Sequence, residues 1–324
     1  MEVMTAPPPD PPAAAGLTPT QLRTLAALRR GDQDPLFDQE LIEELQADTM
    51  AALDALRVRL DGQALVVTKH HIATVLACEA HHLAPDDFSW SPARAKGSVA
   101  HKAIQLLLNW RGEPSPQDVV DEALARLADE ERGIGDYVAA LSDGEGADLR
   151  GQSVDLVTKF IECFPPLDRR WHPVTEAGAM FPVDGPIVLR ARVDLVIGKP
   201  QGTLARKVII DLKSGRIVDR HRQDLRFYAL VETLCRGVPP RRLASFSLDA
   251  GTAVVEDVTP ALLRSTLRRT LDGIERMVEL RAEGRPATTS AGPLCRWCRL
   301  LPGCATGQAG LLDPDDLPIA DGPD

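Results

Sequence analysis

The pattern of the chain changes near residue 174, and that change limits what it can fold into. Before it, apolar residues recur at helical spacing, as in TPTQLRTLAALRR and DQELIEELQADTMAALDALRVRL, with Thr or Asp at the starts as candidate caps. After it come three strand-like runs, VTEAGAMFPV, IVLRARVDLVIG and ARKVIIDLKSG, separated by the turn-forming DGP and KPQGTL. The second and third are close enough for an antiparallel hairpin. DRHRQDLRFYALVETLCRG then predicts a helix stopped by Gly237, Pro239 and Pro240. RRLASFSLDAG and TAVVEDV predict a second hairpin, and PALLRSTLRRTLDGIERMVELRAEG a long helix. Upstream, ALVVTKHHIATVLACEAHHL predicts a short strand and a helix carrying Cys78. The fold class expected is α/β: a mixed sheet flanked by helices, behind a helical N-terminal region.

The expected organisation is a disordered lead over 1–16, a mainly helical region over 17–173, a core over 174–283, a cysteine cluster over 284–306 and a disordered acidic tail over 307–324. MTAPPPDPPAAAG lacks the parts of a secretory signal, and no run of about 18 apolar residues occurs, so a cytoplasmic protein is expected. A formal net charge of −10 argues against wholesale coating of nucleic acid. Arginines nevertheless crowd 205–242, in SGRIVDRHRQDLRF and PPRR, which suits a local basic surface.

Within VIIDLKSG, three β-branched residues are followed by Asp211 and Lys213, which strand alternation puts on one face with Lys207 and Ile209. In IVLRARVDLVIG the same alternation groups Arg190, Arg192 and Asp194, leaving Leu189, Val193 and Leu195 opposite. If the two strands pair, two carboxylates and a lysine meet on one hairpin. Two readings are open: a solvated salt-bridge cluster, or a site for a hard divalent cation with a lysine beside it. The run before Asp211 is that of a central strand, where a charged pair without a purpose is costly. On the helix of AHKAIQLLLNW, His101 shares a stripe with Ile104 and Leu108, at the border of a buried face.

CRWCRLLPGC places Cys295, Cys298 and Cys304 within ten residues, and Cys78 is the natural candidate for a fourth ligand. Four thiolates suit Zn²⁺ or an Fe–S cluster, and spacing does not separate them. Cys163 and Cys235 stand in apolar helical settings as buried thiols.

Gly97-x-x-x-His101, a strand aspartate (Asp194), Asp211-x-Lys213 and a following helix with Tyr228 together resemble the RecB-like branch of the PD-(D/E)XK nuclease superfamily. Within that branch the chain is similar to the Fe–S exonucleases, AddB-like and CRISPR-associated, over about residues 70 to 305. The resemblance implies a restriction-endonuclease-like core and a DNA exonuclease. It implies that His101, Asp194, Asp211 and the carbonyl of Leu212 bind Mg²⁺ or Mn²⁺, while Lys213 assists the attacking water. It also implies a [4Fe–4S] cluster on Cys78, Cys295, Cys298 and Cys304 that pins the chain ends, with Zn²⁺ the alternative occupant and Trp297 shielding it. Three departures stand out: Asp224, beside Gln223, where relatives carry glutamine one turn before the tyrosine; Ala191 for a frequent glycine; and Glu79 for a proline after Cys78.

DNA contacts are expected from Lys96, Arg216, Arg220, Arg222 and Arg226. With 4% aromatic residues, sequence-independent backbone binding is expected over base stacking. No G-x-x-x-x-G-K-[ST] loop is present, so unwinding would fall to a helicase, repair or CRISPR partner. Two competing readings are a catalytically silent, nuclease-like DNA-binding or scaffolding subunit and a zinc-stabilised protein of unrelated activity. Against the first stands the complete His/Asp/Asp/Lys set.

Overall fold

A computed structural model describes residues 16–29, 35–85, 88–129 and 133–311. The expected lead falls outside that set except for Gly16, as do residues 312–324 of the expected tail. The N-terminal region contributes α1 (Pro19–Leu28), α2 (Gln39–Arg59), β1 (Leu65–Val67), α3 (Lys69–Ala77) and α4 (Glu79–Leu83). It continues with α5 (Pro92–Leu107), α6 (Pro116–Ala128), α7 (Ile134–Ala139) and α8 (Asp143–Cys163). Then come β2 (Val174–Phe181), β3 (Ile187–Ile197), β4 (Val208–Lys213), α9 (Asp219–Arg236), β5 (Arg242–Ser247) and β6 (Thr252–Asp257). The long helix α10 (Pro260–Ala282) and the short α11 (Ala305–Leu311) follow. No described helix is long and apolar enough to cross a membrane.

Of the two caps expected, Thr18 accepts the Gln21 N–H at 3.1 Å, whereas Asp38 makes no side-chain cap bond. Cys78 is not on a helix. Its extended backbone (φ −164°, ψ 115°) breaks the expected single helix into α3 and α4. Residues 307–311 of the stretch expected as disordered belong to α11.

The six strands form one mixed sheet. β2 runs antiparallel along the length of β3. The other edge of β3 is shared: β1 pairs parallel with residues 187–189 and β4 antiparallel with 195–197. β4 and β5 are parallel, joined across α9, and β6 closes the sheet antiparallel to β5. β1, which lies before residue 174, belongs to the same sheet as the strands that follow it.

Helices bury both faces. On one side, α2, α3, α9 and α10 cover Leu189, Ala191, Val193 and Ile209. On the other, α1, α5 and α8 cover Leu195, Ile197, Val208, Ile210 and Leu212. Covered on both faces, β4 reads as a continuous apolar run instead of an alternating one. Beneath the second face, the Phe164 ring stacks on Phe160 (centroids 4.9 Å apart) and meets Phe246 edge-on at 5.2 Å. Replacing fully buried Phe246 with alanine should destabilise the fold by about 3–5 kcal/mol in urea denaturation.

Candidate active site

The pairing of β3 with β4 lasts three residues, Leu195–Ile197 against Val208–Ile210, and then the strands part. At the parting point the Asp194 carboxylate replaces a ladder bond: its Oδ2 accepts the Leu212 backbone N–H at 2.7 Å. The alternation of β3 slips here. Val193 faces the α9 side, but Leu195, expected beside it, lies on the α5 side. Opposite this slip on β2 stands Glu176, in the left-handed region at φ 53°, with its carboxylate on Arg192 at 2.6 Å.

Asp211 is buried on β4 just beyond its pairing with β3, opposite Ser245 of β5, with Lys213 Nζ 3.2 Å from its Oδ2. The contact is an ion pair. Among the described residues no hydrogen bond satisfies that oxygen. From α5, His101 brings Nδ1 to 3.6 Å from Asp194 Oδ1. Gly97, one turn earlier, explains the approach: a Cβ there would lie 2.9 Å from Ser214 Oγ, just beyond Lys213. The hairpin and the helix thus bring His101, Asp194, Asp211 and Lys213 together. Among the described residues, no three His, Cys, Asp or Glu side chains already form a ready metal-ion cage.

Two residues with no sequence signal join this cluster. Lys69, the first residue of α3, reaches Asp224 Oδ2 at 3.3 Å and lies 5.1 Å from the centre of the Tyr228 ring. Asp224, at the departure from glutamine, is therefore one half of an ion pair, while Gln223 beside it is exposed. His221 is buried near the start of α9, where its Nδ1 accepts the Val218 N–H at 3.2 Å. Burial and the charges of Lys213, Arg220 and Lys69 press its pKa down to about 3. A lone lysine after a short strand and a histidine in an arginine-rich turn carry no pattern of their own. Only packing shows their place.

Of the basic residues expected to meet DNA, Arg216 and Arg220 are exposed and Lys96 is half-buried. Arg222 and Arg226 are engaged by Glu256 of β6, at 2.9 and 2.8 Å. The pairing depends on β6 lying beside α9, which the sequence of the helix does not reveal.

At the far end of α3, Cys78, Cys295, Cys298 and Cys304 line one cavity of about 340 Å³. Gly307 forms part of its wall: a Cβ there would stand 3.4 Å from both Cys295 Sγ and Cys304 Sγ, and its N–H donates to Cys304 Sγ at 3.3 Å. His81 also lines the cavity, and its Nδ1 is buried without a hydrogen-bond partner among the described residues. Trp297, expected to shield this place, is 39% exposed and does not line it. Cys163 is buried among the aromatic rings under the sheet, as a small apolar group.

A family model of the PD-(D/E)XK nuclease superfamily matches residues 68–305. The chain belongs to that superfamily. Among solved structures, it is similar to a protein from Eubacterium rectale provisionally assigned as an exonuclease. That match is 12% identical with a TM-score of 0.45, over 73% of this chain and 87% of the other. SSO0001 is 15% identical with a TM-score of 0.30, over 64% of this chain and 95% of the other. No curated protein matches.

In this superfamily member the two carboxyls are driven apart in acidity. Burial pushes Asp194 up, but His101, the Leu212 N–H and Lys213 together outweigh it and hold the group at about 2. Burial raises Asp211, and the charge of Asp194 adds to that effect against Lys213 and Lys69. His101 is raised: burial disfavours its cation, and Asp194 more than offsets this.

The sign for stability follows for Asp211. A carboxyl whose folded pKa exceeds its unfolded value adds stability at low pH and loses it as the pH rises through the folded value. Ionised Asp211 is then a net cost, and Asp211→Asn should raise the metal-free melting temperature at neutral pH. The gain should fade as the pH falls toward about 4. A lower melting temperature in the variant, by calorimetry in chelator, would contradict the assignment.

Proposed function

We propose that the chain is a metal-dependent DNA nuclease, acting as an exonuclease at ends or on single strands. The observation that carries this reading is the meeting of Asp194, Asp211 and Lys213 where β3 and β4 part, with His101 delivered by α5. Mg²⁺ or Mn²⁺ fits these residues. The carboxylates offer the oxygen ligands a hard cation prefers, and the buried, unsatisfied Oδ2 of Asp211 is an acceptor that a cation would complete. Asp194, Asp211, His101 and the Leu212 carbonyl would hold it. When bound, the ion supplies Lewis-acid stabilisation of charge on the phosphoryl group.

The remaining chemistry belongs to the chain. Lys213, anchored by Asp211 at the rigid end of a buried strand, orients the attacking water and stabilises negative charge as it develops. Lys69 fixes Asp224 and Tyr228 behind Asp211. Arg216, Arg220 and Lys96 guide the phosphate backbone, a role independent of sequence. Unwinding of a duplex is left to a helicase, repair or CRISPR partner.

A [4Fe–4S] cluster fits the cysteine cavity better than a single Zn²⁺. The cavity of about 340 Å³ is lined by all four thiols, and a glycine keeps its wall clear. The His81 Nδ1, without a hydrogen-bond partner among the described residues, would in its protonated tautomer donate to a cluster sulfide. The cluster's role is structural.

End-labelled single- and double-stranded DNA, with blocked ends as controls, should be degraded only with added Mg²⁺ or Mn²⁺. Lys213→Ala should slow cleavage by at least about 10²–10³-fold with the fold unchanged. Wild-type cleavage by that variant would overturn the catalytic assignment and leave a DNA-holding subunit as the reading. Separately, anaerobically purified protein should be brown and lose its visible absorbance on oxidation. A colourless protein containing zinc would overturn the cluster.

A further inference from the structure

Two stretches far apart in sequence border the cysteine cavity, and a buried carboxylate outside the thiol set ties them together. Glu79, the residue after Cys78, is 4% exposed. Its Oε1 accepts from Arg285 Nη2 at 2.8 Å. Its Oε2 accepts from Arg285 Nη1 at 3.0 Å, from the Thr288 backbone N–H at 2.9 Å and from the Thr288 hydroxyl at 2.8 Å. Ala80 N–H adds a backbone bond to the Thr288 carbonyl at 3.1 Å. Arg285 is in turn braced by Glu279 of α10 at 2.9 Å.

None of these contacts uses a cysteine sulfur. Both oxygens of the carboxylate are satisfied, and charge-assisted bonds from a bidentate guanidinium are among the strongest a side chain makes. Arg285 and the Thr288 donors hold the Glu79 pKa down to about 2, so the group stays ionised throughout the neutral range.

We propose that Glu79 is a cofactor-independent clasp. It joins the Cys78 turn to the segment that begins at Arg285, and so shapes the cysteine pocket before any cluster arrives. The cluster enters a preformed cavity and does not fold the segment around itself. This inference rests on the cluster reading for what the pocket receives, but not for the clasp itself. Were thiolates the sole tie, removing the metal would release the segment, as in small domains whose folding energy is metal-binding energy.

The test uses the full chain as wild type, Glu79→Gln and Thr288→Val, each as purified anaerobically and after stripping with oxidant and chelator. Hydrogen exchange over residues 285–311 and iron per chain are the readouts. Stripped wild type should keep its amide protection there, while both variants lose it after stripping and carry severalfold less iron as purified. Thr288→Val removes one hydroxyl and keeps the side-chain shape, so it remains informative if Glu79→Gln does not fold. Free exchange in stripped wild type, or wild-type protection and iron in both variants, would overturn the clasp. If wild type carries no iron, the cluster reading falls, and the exchange comparison still decides the clasp.

Discussion

One hydrogen bond organises the site: the Asp194 carboxylate accepting the Leu212 N–H. A buried backbone donor must find a partner, and in a continued ladder a carbonyl of β3 would supply it. Because a side chain does so instead, β3 and β4 part while both remain anchored in the sheet. The wedge they leave is where Asp211 and Lys213 emerge and where α5, thinned by Gly97, brings in His101. The pairs 195–197 with 208–210 act as the hinge pin, and the rest of β3 is held by β2 and β1.

That arrangement is electrostatically uneven. Asp194 is stabilised as an anion by a cation and a backbone donor, whereas Asp211 is buried beyond what Lys213 and Lys69 compensate. A group held in an unfavourable charge state is one that an added cation can relieve, and perturbed carboxyls of this kind cluster at functional sites. The link between the Cys78 turn and the segment from Arg285 follows the opposite logic. Around Glu79 both carboxylate oxygens are matched by donors, so the contact serves rigidity and not reactivity.

Much of this was legible in the sequence because it is local. Strand alternation, turn residues and caps are governed by neighbours within a few positions, so the three strands around 174–213, the second hairpin and helices α9 and α10 fall where expected. Asp211-x-Lys213 and the His101 stripe are likewise periodicity facts. The errors share a cause. Cys78 leaves the helix because Thr288 and its neighbours draw that turn toward the C-terminal segment. Leu195 changes faces because Asp194 occupies the gap between strands.

By itself, then, the sequence determined the α/β order of elements, the strand that carries Asp211 and Lys213, and the four cysteines capable of a common site. Tertiary structure alone decided that Asp194 would open the sheet, that Lys69 and His221 would join the cluster, and that Glu79 would tie the Cys78 turn to Arg285 and Thr288. Those outcomes depend on contacts between residues up to 209 positions apart, as with Glu79 and Thr288. Side-chain periodicity describes which way a residue points along its own element, and chain packing determines what it meets there.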